Sequence, residues 1–171
     1  MQTIQEAKSA WKATIHGDGG VCPCCERFGK VYSRALNKTM VASLKWLASQ
    51  NTEKGLREWI DVPNTAPKAV LRSNQLASLR WWGLVERQLP DPEDKKSKHS
   101  GMWRVTLRGM DFVEGRLLVP KKVSTYNGEV VGVSDEVIAI GEVKAGFDYE
   151  ATIAQTHVNL QHNLFQGATV Q

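Results

Sequence analysis

The chain has 171 residues, of which 42% are hydrophobic and 23% charged. That is enough for one domain with appendages, or two small ones, around a real core. No apolar run approaches the roughly 18 residues of a membrane span, and three cysteines confined to positions 22–25 do not make a disulfide framework, so reduced cytoplasmic thiols are expected.

Charge is divided unevenly. Residues 1–122 carry 21 Lys+Arg against 12 Asp+Glu, and residues 123–171 carry 1 against 6. A basic body with an acidic C-terminal region fits a polyanion partner for the body. An unevenly charged solvated surface fits it equally well.

The opening MQTIQEAKSAWK is amphipathic with no apolar signal core, so no secretion signal is expected. Residues 3–14 read as a helix with Ile4, Ala7 and Trp11 on one face, broken by HGDGG. KVYSRAL is ambiguous and reads equally as a strand start. Asn37 caps the helix KTMVASLKWLAS, whose stripe of Met40, Val41, Leu44, Leu47 and Ala48 faces a core. NTEKG is a loop, and Pro63 and Pro67 punctuate the segment after it, LREWIDVPNTAP. Pro67 suits the first turn of a helix capped by Asn64 or Thr65.

That helix, PKAVLRSNQLASLRWW, is open to a division near Ser73-Asn74 and stops at Gly83. Leu71, Leu76 and Leu79 are expected inward. Trp81 and Trp82 point about 100° apart, so one belongs in the core and one is partly exposed. An extended start at Leu84-Val85 leads to a charged loop, Gln88 to Gly101. A strand MWRVTL comes next, and then a helix LRGMDFVEG capped by Thr106. Asn127-Gly128 marks a hairpin. EVIAI suggests a further strand and FDYEATIAQ a terminal helix with Asp148 near its start, while QHNLFQGATVQ is expected to fray.

Residues 76–115, LASLRWWGLVERQLPDPEDKKSKHSGMWRVTLRGMDFVEG, run helix, Gly-Leu-Val-Glu-Arg, charged loop, strand, Thr-x-x-Gly, helix. This resembles the second half of a MarR-like winged-helix domain. There a recognition helix ends at a GLV-R turn, a charged β-hairpin wing comes after it, and a strand enters a helix through an LT-x-x-G corner, here Val105 to Gly109. The match is firm over 76–115 and looser over 37–115. More broadly, VCPCC, VYSRALN, RWWGLVE, SGMWRVTLRGMDFV and VPKKVSTYNGEVVG resemble a group of bacteriophage proteins with an N-terminal CPCC motif. That group brings no established activity with it, but it implies a phage or prophage origin and the cytoplasm of a bacterial host.

The fold class implied is α+β: a winged helix-turn-helix core over 37–118, preceded by a helix and cysteine turn (1–36). A β-hairpin and short helix (119–156) and a tail (157–171) complete the chain. The winged-helix resemblance implies that double-stranded DNA is the partner. Arg72, Asn74, Gln75 and Ser78 then face the major groove, where Arg suits guanine and Asn or Gln suits adenine. Lys95, Lys96, Lys98 and His99 crowd the wing tip within reach of phosphates. Arg80, Arg87 and Lys68 flank the site. The bland alternative is a solvated helix face and a nearly charge-balanced loop, and many winged helices bind protein instead. The leading expectation is thus a phage-type regulator of transcription or replication. The alternative is an effector that engages and modulates a host protein. A homodimer is left open.

Cys22 and Cys25 form C-x-x-C, with Cys24 between them and His16 six residues upstream of Cys22. Structural zinc held by Cys22, Cys24, Cys25 and His16 is one reading. His99, His157 and His162 are isolated. Redox chemistry lacks the βαβ setting it generally needs. Burial as small apolar side chains that fix the N-terminal helix is preferred to both. With no phosphate-binding glycine loop, H-E-x-x-H or recognisable carboxylate pair, no enzymatic activity is expected.

Overall fold

The computed structural model describes residues 3–89 and 100–143. Lys95, Lys96, Lys98, His99, the FDYEATIAQ helix, His157 and His162 lie outside these residues. The architecture is mixed α+β, with small antiparallel sheets.

Helix α1 (Ile4–Ile15) starts at a reciprocal cap: the Glu6 N–H donates to Thr3 Oγ1 at 3.2 Å, and the Thr3 N–H donates to Glu6 Oε2 at 2.7 Å. Its buried edge is one turn further along than the sequence suggests. Ile15 is buried and Ala7 and Trp11 half-buried, while Ile4 is exposed. The helix lies against a two-stranded hairpin, β1 (Gly20–Val21) and β2 (Phe28–Gly29). The Val31 N–H donates to the Ile15 carbonyl at 2.7 Å, and the Trp11 ring meets Tyr126 edge-on at 6.0 Å.

β3 (Tyr32–Ala35) realises the strand option and pairs with β8 (Lys122–Tyr126), which pairs in turn with β9 (Glu129–Val133). Asn127 and Gly128 join β8 to β9 with φ of 50° and 80°, as the two-residue hairpin turn requires. Short strands β7 (Val119–Pro120) and β10 (Val137–Ile138) also pair.

In α2 (Lys38–Lys54) the Met40 N–H donates to Asn37 Oδ1 at 3.0 Å, and all five residues of the expected stripe are buried. The helix runs past Ser49 through residues expected to be loop. Its extension is held by Asn51, which is fully buried. Asn51 Nδ2 donates to the carbonyls of Gly55 (3.1 Å) and Glu58 (2.8 Å), and its Oδ1 accepts the Val105 N–H at 3.0 Å. One amide thereby satisfies the turn after α2 and the middle strand of the adjacent sheet.

That sheet has the order β4 (Ile60–Asp61), β6 (Met102–Val105), β5 (Val85–Arg87), all antiparallel. Between β4 and β5 come α3 (Val62–Thr65), α4 (Lys68–Ser73) and a 3-10 helix, Leu76–Trp82. Asp61, rather than Asn64 or Thr65, provides a cap here, its carboxylate accepting the Asn64 N–H at 3.3 Å. Pro67 occupies the N-cap of α4 with no side-chain cap.

The expected helix is divided at Ser73-Asn74. Asn74 adopts the left-handed conformation (φ 50°, ψ 26°), and Ser73 Oγ donates to the Val70 carbonyl at 2.9 Å. Asn tolerates that conformation where most side chains do not. The break interrupts the helical periodicity between α4 and the 3-10 helix. Leu76 and Leu79 are buried, whereas Leu71, expected inward, is 42% exposed.

Helix α5 (Leu107–Val113) leaves β6 through the Thr-x-x-Gly corner. Thr106 Oγ1 donates to the Gly83 carbonyl at 2.7 Å and accepts the Gly109 N–H at 2.9 Å. A Cβ on Gly109 would lie 2.1 Å from the Leu84 carbonyl oxygen. Only glycine lets α5 sit this close to the start of β5. The hydrophobic core is continuous from Leu36 to Val143, so Val119, Val123, Ile138 and Val143 share it with α2 and the 3-10 helix.

Candidate functional site

The break at Asn74 opens a groove of about 560 Å³ along the start of the 3-10 helix, lined by Arg34, Ser73, Asn74, Gln75, Ala77, Ser78, Arg80, Trp81 and Arg87. Five residues that the sequence reading places at the DNA site, Asn74, Gln75, Ser78, Arg80 and Arg87, thus share one surface. Arg72 is exposed at the end of α4 and is not part of the lining.

Three arginines and no carboxylate line the groove. Among the described residues none of the three forms an ion pair, whereas Arg104 is bound to Glu86 at 2.6 Å. Such a surface attracts anions, and its guanidinium groups are suited to bidentate contact with phosphate.

Trp81 organises the groove wall. Its Nε1 donates to the Gly128 carbonyl at 3.3 Å. The Arg34 and Arg80 guanidinium carbons lie 4.6 and 5.6 Å from its ring centre. Trp82 is buried, with Nε1 donating to the Pro120 carbonyl at 2.7 Å. The two neighbouring tryptophans divide as expected, one in the core and one at the surface. Arg87 stacks over Trp103 at 5.4 Å. At the base of the charged loop, the Gln88 N–H donates to the Met102 carbonyl at 3.0 Å, and Ser100 Oγ donates to the Gln88 carbonyl at 2.8 Å.

Arg34 is a groove residue that the sequence does not single out. It reaches the site because β3 pairs with β8, whose hairpin turn receives Trp81. The sequence signal for it is the alternation of YSRA, which marks a strand but not its neighbours.

The cysteines contradict the preferred burial. Cys24 and Cys25 are exposed and Cys22 is half-buried, all free, in the loop joining β1 to β2. Two residues per strand cannot enclose the loop 22–27, so its side chains meet solvent. Trp11 and Ile15 face the hairpin strands, so α1 is not fixed by cysteine packing.

Within the loop the Cys22 N–H donates to the Arg27 carbonyl and the Glu26 N–H to the Cys22 carbonyl, both at 2.9 Å, with Glu26 left-handed at φ 57°. Backbone N–H groups of Cys24 and Cys25 hold the Cys22 thiol below its ordinary pKa. His16 is exposed at the end of α1. Among the described residues no three His, Cys, Asp or Glu side chains converge as a metal within one chain would need, and no helix is long and apolar enough to cross a membrane.

Compared with known protein families, curated proteins and solved structures, the chain matches none.

Proposed function

We propose that this chain is a non-enzymatic, winged-helix DNA-binding protein of MarR-like type. It would act on double-stranded DNA in the cytoplasm of a bacterial host, as a phage-type regulator of transcription or replication. The observation that carries the reading is the arginine groove. Arg34, Arg80 and Arg87 surround Asn74, Gln75 and Ser78, with no carboxylate in the lining. Cations hold a phosphate backbone, and amide side chains read base edges.

The order of elements supports it. Helix α2, strand β4, helices α3 and α4, the 3-10 helix, then β5 and β6 with β6 central is the arrangement a winged helix needs. The loop between β5 and β6, with Lys95, Lys96, Lys98 and His99, takes the part of the wing.

The test is fluorescence anisotropy with labelled duplexes across a salt series. Wild type should lose affinity steeply as salt rises. Replacing Arg34, Arg80 and Arg87 together with Gln should flatten the log–log slope by about 2–3 if each holds a phosphate. Charge reversal of Lys95, Lys96 and Lys98 should weaken binding to all sequences alike, whereas Gln75→Ala should relax sequence preference. Unchanged DNA retention in the triple arginine variant rules the reading out.

A second reading, a host-protein effector, has its own observation: Val130, Val131 and Val133 are exposed on β9, an outer strand. Pull-down from lysate separates the two. A stoichiometric protein that survives nuclease and high salt favours the effector.

A further inference from the structure

We infer that Cys22 and Cys25 are half of a zinc site that two copies of this chain complete, each giving one C-x-x-C pair to a single tetrahedral ion. The inference is independent of the DNA-binding reading, because it concerns a different part of the sequence and a different surface.

The Glu26 N–H closes back on the Cys22 carbonyl at 2.9 Å, so residues 22–26 make one tight helical-type turn. In such a turn side chains three apart lie on the same side, which places Cys22 and Cys25 together. The left-handed residue directly after Cys25 turns the chain back into β2. Two thiolates from a short turn of this kind are a common half of a zinc centre.

Structural zinc takes four protein ligands, and the described residues bring no third His, Cys, Asp or Glu to the pair. Cys25 is exposed and Cys22 half-buried at the tip of a hairpin, where a second tip can reach them. Directly beneath the loop, Val21 and Phe28 face each other across the two strands, and both are more than half exposed. An apolar pair beside two free thiols is what a second copy of the same tip would cover, in the self-complementary manner of a two-fold contact. On assembly each thiol loses its proton to solvent, so all four ligand protons leave as the zinc binds.

The test uses the full chain, reduced and stripped of metal, with cobalt(II) as a visible probe and then zinc. Titration should develop thiolate-to-cobalt charge-transfer and tetrahedral d–d bands that saturate at one ion per two chains and are bleached by zinc. Sedimentation should show monomer becoming dimer over the same range. Cys22→Ser and Cys25→Ser should each abolish both signals with an unchanged circular dichroism spectrum. Cys24→Ser and His16→Ala should keep both. Saturation at one ion per chain on a monomer overturns the proposal. So does the absence of thiolate bands, or loss in Cys24→Ser with retention in Cys25→Ser.

Discussion

The guanidinium of Arg34, on β3, stacks 4.6 Å from the ring centre of Trp81, at the end of the 3-10 helix. A strand that precedes the core helix therefore completes the wall of a groove built from residues far along the chain. Removing the side chain should act twice. On the proposed DNA-binding function, Arg34→Ala should lower DNA affinity by one phosphate contact; whatever the partner, it should reduce stability by about 0.5–1 kcal/mol, the worth of a partly exposed cation–π contact. Arg34→Lys keeps the charge but not the planar stack. It should recover part of the salt dependence of binding. Anisotropy and urea unfolding on the same two variants separate the contributions.

Asn51 is the polar group on which three backbone segments depend. Asn51→Leu keeps the branching of the side chain but leaves the Gly55 and Glu58 carbonyls and the Val105 N–H without their partner. Each group stranded without solvent costs about 1–3 kcal/mol. A loss on the order of 3 kcal/mol is expected, read as a lower urea midpoint at constant m-value. Stability within about 0.5 kcal/mol of wild type, the scatter of surface substitutions, would show that water replaces the amide.

Gly109→Ala should be as damaging for a different reason. The added Cβ would sit 2.1 Å from the Leu84 carbonyl oxygen, which is backbone and cannot swing aside. Helix α5 must then lift from the start of β5, at a cost on the order of 3 kcal/mol. Gly141→Ala is the control, since nothing lies within 4 Å of the place its Cβ would take. It should shift the thermal midpoint far less than Gly109→Ala does, and equal shifts would show that α5 accommodates the methyl group.

These two residues mark the limits of what the sequence discloses. The Thr106–Gly109 corner is legible because its chemistry is local: a cap, a tight helix start and a glycine, all within one turn. The stripe of α2 and the Asn127-Gly128 turn are legible for the same reason. Asn51 is not, because a polar residue on a helix ordinarily meets solvent, and its partners at 55, 58 and 105 are joined only by the fold. Leu71 misleads because periodicity carries it through the left-handed break at Asn74. Arg34 is unreadable until β3 is known to pair with β8. The cysteine turn is visible as a motif, but its exposure depends on how short the supporting hairpin is.

The cap of α1 gives a prediction with a definite sign. Glu6 has its pKa lowered first by the Thr3 backbone N–H and then by the Thr3 side chain. A carboxyl depressed in the folded state contributes stability that is fully present above its unfolded pKa and fades as pH falls through the folded value. Helix α1 should therefore fray first at its N-terminal turn on acidification, seen as faster amide exchange over residues 4–8. Thr3→Ala removes the side-chain bond while the backbone N–H of residue 3 remains, so the Glu6 pKa should rise only part of the way to its ordinary value in an NMR titration. A full return would mean that the hydroxyl, by ordering the turn, also governs the backbone bond. No change at all would show that the reciprocal cap does not persist in solution.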